Sequence, residues 1–504
     1  MRNRLVLVAL ATLSLLFAGL ALAQTRLVVG NISEAVNLDP RLISDTYSFQ
    51  RIYTIFEPLV SFDKDLSHMP RLATEWSFSE DGSVITFKLR EGVKWHHGTE
   101  FTSADVKYTI DWLQNPENPA ATPSLWASIA EVTTPDPYTV VFRLDPVNVW
   151  AFNVLARTAI VPADRGDDPD FASNPSGTGP WQLVEWVRDD RMVLERFEDH
   201  WETERGNVDE LVFRTIGEDA SRLLAFEAGE IDLYQGQVVP VEVPRLEAET
   251  NWVSRVAGLG HTYLGMNLRN PILNDVRVRQ AFYHLIPSQA IVQRLYNNVG
   301  SVGVSPVSPE SVFFSPTTPR YPYDPERARE LLAEAGYADG FDMTVLTFTG
   351  DEYRTAGQVL QQMFSEVGVR MTLDAQERGS LVEQIFKPID ENPTQAALVG
   401  ASASTGDADL ALTVSFTAAS FPPASNNWSF FSDERVEELV VAGRTTGDPA
   451  EREAAYAEAQ GIIWQDAPWV FLYSPNTIAG RSLTVTGVVN SPDNTIDARR
   501  AAFR

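Results

Sequence analysis

Segments with a strand pattern and segments with a helix pattern alternate along the 504-residue chain. Residues 84–90 alternate apolar and polar side chains, which predicts a half-buried strand. Asp324 before a proline predicts the start of a helix, and Gly336 predicts its end. Asp448 before another proline predicts a second helix start. Because strands that alternate with helices are typical of mixed α/β proteins, we expect an α/β fold.

The composition narrows the possible functions. The chain has 40 Lys and Arg residues against 68 Asp and Glu residues, so its formal net charge is −28. Carboxylates repel phosphate groups, so we expect neither a nucleic acid nor an anionic lipid surface as a partner. The chain contains no cysteine, which excludes disulfide bonds, cysteine-ligated zinc and thiolate nucleophiles.

The N-terminal segment predicts export. Arg2 and Arg4 precede an apolar stretch, and residues 21–23 read Ala-Leu-Ala, a small-x-small cleavage site. Residues 1–23 therefore indicate a cleaved signal peptide, with a membrane anchor as the alternative because the stretch is close to spanning length. Gln24 would begin the mature chain, where a lipoprotein would carry Cys. We expect a periplasmic or other extracytoplasmic protein without stable membrane insertion.

The chain offers no convincing catalytic constellation. Residues 400–404 lack the second glycine of a nucleophile elbow, and residues 177–180 lack the Lys-Ser/Thr of a phosphate-binding loop. Residues 177–180 are better explained as a tight turn that enters a strand. His96 and His97 form the one histidine cluster, and no third metal ligand is indicated. We therefore expect no enzyme activity, no cofactor and no metal site.

Several stretches of the mature chain resemble one protein family. They are residues 37–40, 56–60, 70–112, 177–181, 263–267, 275–281 and 323–328. The chain resembles the family 5 extracellular solute-binding proteins of ABC importers, which include dipeptide-, oligopeptide-, glutathione- and nickel-binding proteins. Within that family, similarity to the glutathione-binding branch comes from residues 404–409, 420–423, 431–433 and 448–451.

The resemblance implies a two-lobed periplasmic-binding-protein fold, class II and of the three-domain type, with a ligand cleft between the lobes. The implied boundaries are a signal peptide at 1–23, lobe I at 24–60 with 180–265 and 475–504, a small inserted domain at 61–179, and lobe II at 266–474.

The resemblance also implies binding residues. In dipeptide-binding relatives, an acid of a Gly-Asp-x-Asp segment holds the amino group of the peptide, and here Asp407 is the closer match, with Asp409 beside it. An Arg that holds the carboxylate of the peptide matches Arg354. The remaining candidates are aromatic, and each has core packing as its alternative: Trp428 and Phe421 near the cleft, and Tyr47 and Tyr263 near the strand ends of lobe I.

The expected function is therefore capture of a short peptide by hinge closure, followed by delivery to an ABC permease and its ATPase. The glutathione-binding branch does not carry an Arg at the position of Arg354, so a dipeptide or tripeptide stands beside glutathione as the ligand. The alternatives are a carrier of a nickel chelate or other small solute, a sensory or chaperone-like binder, and a hydrolase. We expect a monomer.

Overall fold

The computed structural model describes residues 25–43, 45–63, 66–120, 123–235, 242–248, 252–316, 321–402, 406–491 and 495–504. The predicted signal peptide lies outside these residues. Within the described ranges, no helix combines the length and the apolar character needed to cross a membrane.

The described residues form strands and helices that alternate, as the sequence predicts. Strands β1 to β22 are Arg26–Asn31, Val60–Phe62, His68–Pro70, Ala73–Phe78, Val84–Leu89, Ile129–Asp136, Thr139–Leu144, Trp181–Val187, Arg191–Arg196, Glu210–Thr215, Leu233–Gln235, Trp252–Ala257, Gly260–Met266, Gly300–Val302, Asp342–Phe348, Arg370–Gln376, Ala396–Ser402, Trp469–Arg481, Val485–Thr486, Val489–Asn490, Ile496–Asp497 and Ala502–Phe503. Helices α1 to α13 are Thr46–Ile55, Ser103–Gln114, Ala151–Leu155, Asp219–Glu227, Val243–Ala248, Val276–Leu285, Ser288–Leu295, Pro325–Glu334, Asp351–Ser365, Arg378–Ile385, Ala408–Phe416, Glu434–Thr445 and Pro449–Asp466.

Lobe I is built on the sheet order β11-β1-β10-β9-β8. β1 runs parallel to β10 and β11, while β9 and β8 extend the sheet in antiparallel pairs. Leu27 and Val29 of β1 pack in one core with Leu211 and with Val485, which lies near the C-terminus. The last residues of the chain therefore belong to the same lobe as the first strand.

The small domain is a separate four-stranded antiparallel sheet in the order β4-β5-β7-β6. The strand predicted at 84–90 is β5, and its apolar side chains Ile85, Phe87 and Leu89 are buried. This alternation is confirmed because one face of β5 packs in the small-domain core and the other lies nearer to solvent.

Lobe II has the sheet order β16-β15-β17-β13-β18, and β15 is parallel to both of its neighbours. The predicted helix starts are confirmed. Asp324 caps α8 by accepting a hydrogen bond from the Arg327 amide, and Asp448 caps α13 by accepting one from the Ala450 amide.

The lobes are joined by two crossings of extended chain. β18 pairs with β13 over Trp469–Tyr473 and with β12 over Asn476–Arg481, so one strand serves both lobes. Gly258 lies between β12 and β13, and its amide donates to the Pro475 carbonyl at 3.1 Å. The crossing lies at residues 258–259, so β13, placed in lobe I by the expected boundary at 265, packs instead in the core of lobe II.

The predicted turn at residues 177–180 leads into β8. The Gly179 amide donates to the Ile55 carbonyl at 2.8 Å, and the His96 amide donates to the Gly177 carbonyl at 2.9 Å. A Cβ atom at Gly177 would lie 1.8 Å from the Ile55 carbonyl oxygen. Glycine is required here because the loop packs directly on the end of α1.

We expect Gly177→Ala to lower the free energy of unfolding by about 3 kcal/mol, since the added methyl group forces the loop and α1 apart. Gly461→Ala is the matched control, because nothing lies within 4 Å of its added Cβ in α13. That control should gain about 0.5–1 kcal/mol from helix propensity. Urea unfolding measures both variants, and wild-type stability for Gly177→Ala would contradict the close approach.

Candidate ligand-binding cleft

The wall of lobe I is formed where two parallel strands end. β1 ends at Asn31 and β11 ends at Gln235, and the side-chain amide of Asn31 donates to the Gln235 side-chain oxygen at 2.6 Å. Gln50 of α1 accepts a second, longer bond from Asn31 at 3.4 Å. In open α/β sheets, ligands bind beyond the carboxyl ends of the strands. This buried amide cluster therefore lies at the edge where a ligand is expected.

The wall of lobe II has the same construction. The parallel strands β15 and β17 end at Phe348 and Ser402, and α9 begins just after β15. Its first turn carries Glu352 and Tyr353, both half-buried. A Cβ atom at the exposed Gly400 would lie 2.9 Å from the Tyr353 hydroxyl oxygen. The ring of Tyr353 therefore lies against β17 at this edge.

Tyr47 of lobe I and Arg378 of lobe II interact electrostatically. Burial raises the pKa of the half-buried Tyr47, and the positive charge of Arg378 is the largest effect that opposes this rise. Arg378 is the first residue of α10 in lobe II, and its guanidinium lies 5.3 Å from the centre of the Phe348 ring. Tyr47 belongs to α1 in lobe I. The positive charge of Arg378 in lobe II therefore acts on the hydroxyl of Tyr47 in lobe I.

The small domain also contacts lobe II directly. Asn153 of α3 donates to the Asp407 carboxylate at 3.2 Å, and the Val149 amide donates to the Arg444 carbonyl at 3.0 Å. Leu410 of α11 packs against the core of the small domain. These contacts hold lobe II against the small domain on one side of the cleft.

The predicted acids Asp407 and Asp409 are buried beneath α12 and α13. Arg452 donates to Asp407 at 3.0 Å, and Arg444 donates to Asp409 at 2.6 Å. Asp409 also accepts a bond from the Tyr456 hydroxyl at 2.8 Å. Burial raises the pKa of the Asp407 carboxyl, and Arg452 opposes that rise. Both carboxylates therefore already accept internal donors, and their contact with a peptide amine stays a prediction.

The predicted arginine, Arg354, lies on α9 with an exposed side chain. It follows Glu352 by two residues, and residues two apart lie on different sides of a helix. Arg354 therefore lies on a different side of α9 from Glu352. It also lies outside the buried cluster around Asp407. Its contact with a peptide carboxylate stays a prediction.

The structure places Tyr263 and Trp428 in the core of lobe II. The Tyr263 ring stacks on Trp469 with ring centres 3.7 Å apart, and the Trp428 indole N–H donates to the Tyr263 hydroxyl at 3.3 Å. Tyr263 was expected near the strand ends of lobe I, but it lies in β13 of lobe II. Phe421 is half-buried, and its ring packs edge-on against Phe430 at 5.5 Å.

The predicted histidine pair bonds to the loop before β8. His96 Nε2 lies 2.9 Å from the Gly179 carbonyl oxygen, and His97 Nδ1 lies 2.7 Å from the Ser176 hydroxyl. Burial lowers the pKa of His96 to about 4. Across the described residues, no group of three or more His, Cys, Asp or Glu side chains is arranged to hold a metal ion.

Glu352, Tyr353 and Arg378 lie in the first turns of helices at the strand-end edge of lobe II, and the sequence reasoning missed them. Two of them start α9 directly after the carboxyl end of a core strand, and Arg378 starts α10 in the same way after β16. A helix start that directly follows a buried parallel strand is the signal that identifies them.

Comparison with known proteins places the chain in a family. Residues 68–436 match the bacterial extracellular solute-binding proteins, family 5 Middle. The chain belongs to this family. As a family 5 protein it has the two-lobed periplasmic-binding-protein fold, and its family consists of solute-binding proteins that act outside the cytoplasm.

Individual relatives match nearly the whole chain. The chain is 31% identical over 497 residues to the glutathione-binding protein GsiB of Salmonella typhimurium, which covers 97% of this chain and 96% of that protein. The structure of the periplasmic binding protein DppA from Helicobacter pylori, in complex with the peptide STSA, is 27% identical with a TM-score of 0.82 and covers 95% and 98% of the two chains. MoaA from A. tumefaciens R10, in complex with mannopinic acid, is 27% identical with a TM-score of 0.81 and covers 96% and 100%.

Proposed function

We propose that this family 5 protein captures a short peptide in the cleft and delivers it to an ABC permease driven by an ATPase. The proposed ligand is glutathione or a dipeptide or tripeptide. The observation that carries the proposal is the 31% identity with a glutathione-binding protein over 97% of the chain. The related protein solved with the peptide STSA supports a peptide ligand.

The two crossings supply a hinge for this function. Only a ligand that binds the closed form better than the open form shifts the population toward closure. A peptide that contacts the amide cluster of lobe I and the helix starts of lobe II meets this condition, because those contacts exist together only when the cleft is closed. Arg354 and Arg378 are the proposed partners of the peptide carboxylate, since guanidinium groups bind carboxylates through paired N–H donors.

We propose that the protein is exported by its signal peptide, functions as a monomer and performs no catalysis. Its permease recognises the closed form. The second candidate ligand is another small solute such as mannopinic acid, favoured by the 27% identity with the mannopinic acid complex. A nickel chelate is the third candidate ligand, and the test below includes it.

A thermal-shift panel tests the proposal. The mature chain is unfolded and refolded to remove bound ligand, then heated with glutathione, L-dipeptides, a tripeptide, mannopinic acid and Ni(L-His). A peptide at 100 times its Kd should stabilise the protein by about 2.7 kcal/mol. D-dipeptides are the matched control and should give smaller shifts. Shifts with mannopinic acid or Ni(L-His) alone would contradict the peptide proposal.

Closure of the cleft is measured separately, by fluorescence energy transfer between one dye on each lobe. The sequence has no native cysteine, so a Leu224→Cys, Val441→Cys pair can be labelled at two exposed positions, one on each lobe. A bound peptide should change the transfer efficiency between the dyes to a new fixed value. Binding without any change in transfer would contradict hinge closure.

A further inference from the structure

Glu352 is a half-buried carboxylate that forms no ion pair with a Lys, Arg or His among the residues that the structure describes. It lies in the first turn of α9, and the Tyr473 hydroxyl donates to its Oε1 at 2.9 Å. Within the ranges that the structure describes, burial raises the pKa of Glu352, and the hydrogen bond from the Tyr473 hydroxyl lowers it. A carboxylate held away from water without a cation is unfavourable in its charged form.

The two predicted acids, Asp407 and Asp409, differ from Glu352 in this respect. Asp407 is paired with Arg452, and Asp409 is paired with Arg444. Those two carboxylates are neutralised within the protein. Glu352 has no such partner among the described residues, so the ammonium group of a ligand can supply the missing positive charge and favour the ionised carboxylate.

Tyrosine side chains lie close to Glu352. Tyr473 stacks on Tyr296 with ring centres 3.8 Å apart. Burial and, to a lesser extent, the charge of Glu352 raise the pKa of the Tyr353 hydroxyl, and Arg378 opposes this rise. Tyr473 also directly precedes the crossing at Ser474–Asn476, so Glu352 lies at the hinge end of the wall of lobe II.

We propose that Glu352 holds the ammonium group of the bound ligand and makes a free amine a requirement for capture. This inference rests on the proposed peptide function. The ammonium donates charge-assisted hydrogen bonds to Glu352, and Tyr473 keeps the carboxylate in place. The role that the family resemblance gave to Asp407 then passes to a residue on a different helix.

Isothermal titration with matched peptides tests this role. The probes are glutathione, L-Ala-L-Ala and the N-acetyl form of each, which lacks the ammonium group. Glu352→Gln keeps an acceptor for Tyr473, so its melting temperature should equal that of the wild type. We expect it to bind the free-amine probes about tenfold or more weakly, as the loss of a charged hydrogen bond requires.

The control is Glu366→Gln, at the exposed C-terminal end of the same helix, which should bind like the wild type. The wild type should bind the N-acetyl probes at least tenfold more weakly, and Glu352→Gln should not weaken them further. Equal binding of free-amine probes by the wild type and Glu352→Gln overturns the role of Glu352 and leaves the peptide function standing. A wild type that binds none of the probes overturns both.

Discussion

Replacing Arg452 with methionine is expected to lower the free energy of unfolding by about 3–5 kcal/mol, because it leaves a buried carboxylate without its partner. Arg452 donates to both oxygens of Asp407, at 3.0 and 3.3 Å, and both side chains are largely buried. Methionine preserves much of the side-chain volume but none of the charge. The cost therefore comes from the uncompensated charge of Asp407.

The pH dependence of the stability lost in Arg452→Met shows whether the charge of Asp407 causes the loss. Burial already raises the pKa of Asp407 above its ordinary value, and removing Arg452 should raise it further. A carboxyl whose pKa is higher in the folded state binds its proton more tightly there, so its contribution to stability falls as pH rises. The loss in Arg452→Met should therefore be smaller at pH 5 than at pH 8.

Urea unfolding at both pH values makes the measurement. Arg435→Met is the matched control, because Arg435 pairs with Glu438 and Glu458 on the exposed surface of α12 and α13. Exposed pairs of this kind contribute about 0–1 kcal/mol. A loss in Arg452→Met no larger than that of the control would contradict the buried pair.

Trp428→Ala should lower the free energy of unfolding by about 3–5 kcal/mol, the range found for deleting a large aromatic side chain from a core. Trp428 is 1% exposed. Its ring edge lies against Gly265, where a Cβ atom would come within 2.5 Å, and its indole N–H bonds to Tyr263. Alanine would leave a cavity and an unpartnered hydroxyl.

Differential scanning calorimetry and a peptide titration together separate a core role from a ligand contact. Phe421→Ala, at a half-buried ring of the same region, is the control and should lose less stability. If Trp428→Ala kept the wild-type melting temperature and lost peptide affinity, the side chain would belong to the ligand site and the core position would be wrong.

The elements that the sequence predicted well depend on local patterns. Asp324 and Asp448 cap helices through bonds to amides two or three residues away, and β5 shows its buried face in strict alternation. β13 lacks such a pattern, because nearly all of its residues are buried on both faces. Its position in lobe II therefore had to come from the structure.

The polar contacts depend on distant parts of the chain. Arg452 is 45 residues from Asp407, and Tyr473 is 121 residues from Glu352. In the sequence, Arg452 and Glu352 are ordinary charged residues near helix starts. Only the packing of α13 and the crossing strand shows which carboxylate is neutralised and which is not.

The crossing strand β18 also determines when the chain can fold. Lobe I needs β1, the return at β8 and the C-terminal half of β18, and Val485 and Ala501 complete its core. Domains generally fold as units as synthesis proceeds from the N-terminus. Lobe I therefore completes its core only after residues 485–501 have been synthesised.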